Sequence, residues 1–115
     1  MSRQRICVDF DGVLNTYKGW KGNDELYEPR IGAKEFLEEL SVQYYVVILT
    51  TRNVEKVWEW LREYGLDFLV DEVTDIKVGA VAYIDDRALK FNGNYLETLI
   101  ELNNFKTHWE DGDVE

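Results

Sequence analysis

Cysteine and histidine each occur once in these 115 residues, and basic side chains are scarce. A lone Cys7 rules out an internal disulfide framework and a cysteine-based zinc cluster. Its place in an apolar strand suits a small buried hydrophobe rather than a reactive thiol. His108, close to the chain end, is expected at the surface and not in catalysis. Thirteen Lys and Arg stand against twenty-three Asp and Glu, a net charge of −10. No basic stripe is visible, which argues against holding a nucleic-acid backbone by charge. The same excess repels phosphate esters at long range, so a phosphate site here would rely on local cations. No stretch approaches the ~18–20 apolar residues that span a bilayer, so no membrane partner is expected. Met-Ser-Arg-Gln-Arg leads into a strand without the apolar segment of a signal peptide, and the expected compartment is the cytoplasm. Repeats and linkers are missing too. The expectation is one soluble domain over 1–115, with about 105–115 as an acidic, solvated tail.

What is present is most informative at residues 6–14, Ile-Cys-Val-Asp-Phe-Asp-Gly-Val-Leu. An apolar strand ends in two carboxylates spaced i, i+2, so Asp9 and Asp11 could share a face. Gly12 then offers a turn. One acid could attack while the other handles a proton, and both could face one metal. Acids this close repel unless a cation or a shared proton relieves them, and Mg²⁺ is the expected partner.

Strand and helix patterns alternate along the rest of the chain. Arg5 to Phe10 is the first predicted strand, followed by a polar connection to Pro29 that carries Tyr17, Trp20 and Tyr27. Ala33, Phe36, Leu37 and Leu40 fall at i, i+3, i+4, i+7 and predict a helix over Gly32 to Leu40. Tyr44 to Thr50 is a nearly continuous apolar strand. Asn53 can cap a helix whose stripe is Val54, Val57, Trp58 and Leu61, with Gly65 placed to end it. Trp58 and Trp60 lie on opposite sides of that helix, and at least Trp58 is expected in the core. A short strand near Phe68 to Val70, a strand over Val78 to Ile84, and a helix over Tyr95 to Leu102 with Leu96, Leu99 and Ile100 inward complete the pattern. Such alternation predicts an α/β fold, a Rossmann-like, mostly parallel sheet in three layers with helices on both faces.

In such sheets ligands bind beyond the carboxyl ends of the strands. Asp9 and Asp11, Thr50 and Thr51, and Asp85 and Asp86 all fall at those ends, and Lys77 precedes the last strand. Singly each has an ordinary explanation: a strand terminus for the threonines, a solvated lysine, an ion-paired turn for Asp85-Asp86-Arg87. Together they suit phosphoryl transfer. A carboxylate can attack phosphorus, a second acid can protonate the leaving oxygen, and a hydroxyl and an ammonium can hold the non-bridging oxygens. Carboxylates from two strands can bind Mg²⁺.

The chain resembles the haloacid dehalogenase superfamily. Four ordered motifs carry the likeness: Val-Asp-Phe-Asp-Gly-Val at 8–13, Val-Ile-Leu-Thr at 47–50, Lys77, and Ile-Asp-Asp at 84–86. The resemblance implies Asp9 as nucleophile, Asp11 as general acid/base, and Thr50 and Lys77 as ligands of the transferring phosphoryl group. It implies Mg²⁺ held by the Asp9 carboxylate, the Asp11 carbonyl and Asp86, with Asp85 as the secondary candidate. The second acid favours phosphate-ester hydrolysis over dehalogenation. Between Asp11 and Thr50 lie 38 residues, and between Thr50 and Lys77 lie 26, already occupied by predicted elements, so the likeness is to capless members. In those the Tyr17–Trp20 loop would be a small flap. Thr51 and Trp20 join the expected substrate contacts.

A phospho-accepting receiver domain would place its acceptor Asp after the central strand, where Thr50 stands, and is disfavoured by motif order. A non-catalytic binding module of the same fold is the alternative, as is action on a macromolecular substrate. The preferred expectation is a small phosphate ester such as a nucleotide, with the aromatic loop available for stacking.

Overall fold

A computed structural model describes residues 3–19 and 26–105. The elements are β1 (Gln4–Asp9), α1 (Ala33–Gln43), β2 (Tyr44–Leu49), α2 (Val54–Glu63), a 3₁₀ turn (Asp67–Leu69), β3 (Glu72–Thr74), β4 (Tyr83–Ile84) and α3 (Tyr95–Asn104). All four strands run parallel, in the order β3-β2-β1-β4. The chain builds outward from β1 through β2 to β3, then returns to the far side of β1 as β4. The order therefore reverses between β1 and β4, where parallel sheets open a crevice at their carboxyl ends. No described helix is long and apolar enough to cross a membrane.

Alternation along the two central strands builds the core. Ile6, Val8 and Phe10 point one way with Val46 and Ile48, and that face receives Ala33 and Leu37 of α1 and Val57, Trp60 and Leu61 of α2. Asn53 accepts a hydrogen bond from Lys56 N (3.1 Å) and so caps α2. Gly65 ends it with φ 69°, while Leu66 N reaches Leu61 O (2.7 Å) and Gly65 N reaches Arg62 O (3.2 Å). That crossed pair is a Schellman cap, which needs a left-handed residue at the glycine.

Four expectations need correction or refinement. Trp58 packs against the core as expected, but Trp60, 4% exposed, is the more deeply buried of the two; Trp60 stacks edge-on against Phe10 at 4.8 Å. Phe68 to Val70 lies in and just after the 3₁₀ turn rather than a strand, because Leu69 N and Val70 N close back on Leu66 O and Asp67 O; the strand comes later, at Glu72–Thr74. Within Val78 to Ile84 only Tyr83–Ile84 is strand, although Val81 N donates to Arg5 O (2.9 Å) and Ala82 O accepts Cys7 N (3.1 Å) on the approach to it. Finally, α3 forms as expected but Leu96, Leu99 and Ile100 are 68%, 58% and 54% exposed. Among the described residues nothing buries the apolar side of α3. Both packed helices cover one face, so among the described residues the sheet is not sandwiched between helical layers.

Candidate active site

Local chemistry bends the chain at the carboxyl end of β1. Asp9 is its last residue, half-buried, and Phe10 drops into the core while its carbonyl accepts Leu14 N (3.0 Å). Gly12 takes φ 89°, and a Cβ there would overlap the Asp86 carboxylate. Two requirements thus coincide on one glycine: a left-handed backbone and room for an acid from β4.

Asp9, Asp85 and Asp86 each offer a carboxylate oxygen, all within 4.8 Å of one another. They sit on the two lips of the β1/β4 crevice. Burial, followed by repulsion from Asp85, Asp86 and Asp11, pushes the Asp9 carboxyl up to about 7 from 3.8. One Asp85 oxygen accepts Arg87 N (2.9 Å) and so shapes the turn after β4. Three hard oxygen donors whose mutual repulsion a dication would relieve are a donor set suited to Mg²⁺.

Asp11 faces elsewhere. Arg52 donates to it twice, Nε to Oδ2 at 2.8 Å and Nη2 to Oδ1 at 3.3 Å, and Asn15 Nδ2 donates to Oδ1 at 3.0 Å. Asn15 is fully buried, and its own Oδ1 accepts Gly12 N (2.9 Å) and Tyr17 N (3.1 Å). One amide therefore ties the turn, the second acid and the start of the loop together. The Arg30 guanidinium closes the same turn from outside by donating to Gly12 O (3.1 Å).

Thr50 is buried just beyond β2; its hydroxyl accepts Arg52 N (2.9 Å) and its amide donates to Thr74 O (2.9 Å). Thr51 is exposed and lines three adjoining cavities. One of about 190 Å³ is walled by Asp9, Asp11, Tyr17, Asp85 and Arg87. A second, about 280 Å³, brings Thr50, Asp75 and Lys77 to Asp9 and Asp85. Lys77 rests its ammonium over the Tyr83 ring, 4.6 Å from the centroid. The third, about 160 Å³, lies between Asp11, Tyr17, Leu26, Arg52, Asn53 and Lys56. A larger cavity of about 600 Å³ opens at the amino ends of the strands, among Arg3, Gln4, Arg5, Tyr45 and residues 79–81. It contains none of these acids or hydroxyls and is remote from the chemistry.

Asp9, Asp11, Thr50, Thr51, Lys77, Asp85 and Asp86 thus converge on one edge of the sheet. Trp20 lies outside the described residues, as do His108 and the acidic tail. Tyr17, at the start of the expected flap, does border the site, packed edge-on to Tyr27 at 5.8 Å. Arg52 and Asn15 hold Asp11 in the candidate site, and strand and helix periodicity does not mark either of them. Arg52 follows the strand-ending threonines directly, and Asn15 follows Asp11 by four, which is the only sequence signal either carries.

No family model matches the chain, and no solved structure matches it. A protein of Arabidopsis thaliana described as a probable transcriptional regulatory protein is 23% identical over 82 residues, covering 71% of this chain and 25% of the plant protein. The chain therefore spans about a quarter of that relative's length.

Proposed function

We propose that the chain is a Mg²⁺-dependent phosphomonoester hydrolase of the haloacid dehalogenase type, acting through an aspartyl-phosphate on Asp9. The observation that carries the proposal is the separation of the acids: Asp9 grouped with Asp85 and Asp86, Asp11 turned away onto Arg52 and Asn15. Two acids two residues apart on the wall of one cavity, one grouped with the metal donors and the other held by Arg52 and Asn15, suit the division of labour that covalent hydrolysis needs.

An Asp9 oxygen attacks phosphorus as the ester oxygen leaves, and Asp11 gives that oxygen its proton. A water then attacks the phosphoryl group while Asp11 takes its proton back, which frees Asp9 and releases phosphate. Lys77 and Thr50 are the neighbouring groups suited to the non-bridging oxygens. Asp9, Asp85 and Asp86 would hold Mg²⁺, which when bound supplies the positive charge that lets a dianion approach a carboxylate. The open site and small cavities favour a small phosphate ester. The role described for the Arabidopsis relative belongs to a far longer protein, and a net charge of −10 gives this chain no evident grip on nucleic acid. Hydrolysis of a generic aryl phosphate that stops in EDTA and returns with Mg²⁺ is the expected result. Full activity in chelator would remove the metal from the mechanism.

A further inference from the structure

The two chambers that meet at Asp11 carry opposite charge. On the metal side stand Asp9, Asp85 and Asp86, with Arg87 as the cation that lines it. On the other side Arg52 and Lys56 face a single acid, Asp11, which Arg52 already engages. Lys56 forms no ion pair with any described residue. It stands on a wall, with Glu59 and Glu63 bordering the cavity behind it, so its charge is shared between two openings.

In a chain of net charge −10 this local inversion matters. A dianionic ester is already repelled at long range, and a second negative charge on it would deepen that repulsion everywhere except beside local cations. The chamber adjoins the one containing Asp9, and Asp11, the acid assigned to the leaving oxygen, lines both. Its size limits the occupant. About 160 Å³ is below the ~300–1,000 Å³ of pockets for drug-sized ligands, so by itself the chamber suits a compact group.

We infer that the Arg52–Lys56 chamber is a leaving-group site that selects phosphate monoesters whose alcohol carries a second anionic group, a carboxylate or another phosphoryl, close to the ester. This rests on the hydrolase proposal for what happens at Asp9, but not for binding. Lys56 supplies the charge, Arg52 fixes Asp11 at the chamber mouth, and Tyr17 closes one wall, its ring centroid 5.7 Å from the Arg52 guanidinium carbon.

The test uses aryl phosphates bearing a para hydroxymethyl, carboxylate or second phosphate group. For each protein the reading is kcat/KM for the anionic ester divided by that for the hydroxymethyl ester, so that intrinsic reactivity cancels between proteins. Lys56→Gln should lower that ratio about tenfold, the worth of one charge-assisted contact. Lys56→Arg should retain it, Lys34→Gln on α1 should not move it, and the difference should shrink as salt rises. Which anionic ester shows the effect names the source of the charge. Isothermal titration of the bisphosphate into Asp9→Asn, with and without Lys56→Gln, reads the chamber independently of turnover. Lys56-dependent binding without hydrolysis of any ester would sink the hydrolase proposal and keep this one. Hydrolysis with equal ratios in wild type and Lys56→Gln would do the reverse. A loss matched by Lys34→Gln, or no binding of any kind, would overturn it.

Discussion

Protons and magnesium should compete for Asp9, and lowering the pH while titrating the metal exposes that competition. Burial and the facing acids Asp85, Asp86 and Asp11 hold the Asp9 carboxyl near 7, against 3.8 for an ordinary aspartate. Between those two values the folded, metal-free protein keeps a proton that the unfolded chain has released. The folded state therefore binds more protons, and this group makes stability fall as pH rises from about 4 to about 7, then level off. Magnesium needs the ionised carboxylate, so its apparent affinity should drop about tenfold per pH unit below about 7 and be flat above. From pH 7, where the carboxyl is half protonated, to pH 5 the midpoint concentration should rise about 50-fold on the same basis. The assay is the shift in Tm as Mg²⁺ is added at pH 5, 6, 7 and 8, with an EDTA series beside it. In EDTA the wild type should lose stability relative to Asp9→Asn as pH rises through that window. Asp85→Asn, which removes the largest of the three facing repulsions, should move the break to lower pH. Equal magnesium midpoints at pH 5.5 and 7.5 would refute the coupling of Asp9 to the metal.

Asp9→Asn should abolish turnover, and Asp11→Asn should slow it by roughly 10²–10⁴-fold, less so for a very good leaving group in the first step; steady-state rates on aryl esters check both. Gly12→Ala should lose magnesium binding and activity together, because its Cβ would displace the Asp86 carboxylate and its φ of 89° suits no other residue well; a variant with normal Mg²⁺ titration would deny that the turn shapes the site. Leu37→Ala, at a fully buried core position, should cost about 2–5 kcal/mol in urea unfolding. Leu99→Ala on α3 should cost far less, since α3 buries none of its side chains; a comparable loss would mean that α3 packs on the sheet in solution.

Much of this arrangement could be read before any coordinates. Continuous apolar runs mark β1 and β2, Asn53 and Gly65 bracket α2 for capping reasons, and the acids and hydroxyls fall where strands end. Periodicity fails where it carries too little information. A three-residue apolar run such as Phe68 to Val70 satisfies a turn as well as a strand. Leu96, Leu99 and Ile100 predict that α3 has an apolar face but not whether another element covers it. Trp58 and Trp60 could each have faced inward, and the edge-on fit of Trp60 to Phe10 goes with its deeper burial. Asn15 and Arg52 are polar groups in loops, and their roles exist only once the turn at Gly12 brings Asp11 to them.

A rapid acid quench during turnover of an aryl phosphate, followed by trypsin digestion and fragment mass spectrometry of the Ile6–Lys18 peptide, asks whether Asp9 is the nucleophile. The expected result is a phosphoryl group on Asp9 in the wild type and none in Asp9→Asn. Sustained turnover with Asp9 never modified, or with the phosphoryl group on another residue, would contradict the covalent mechanism.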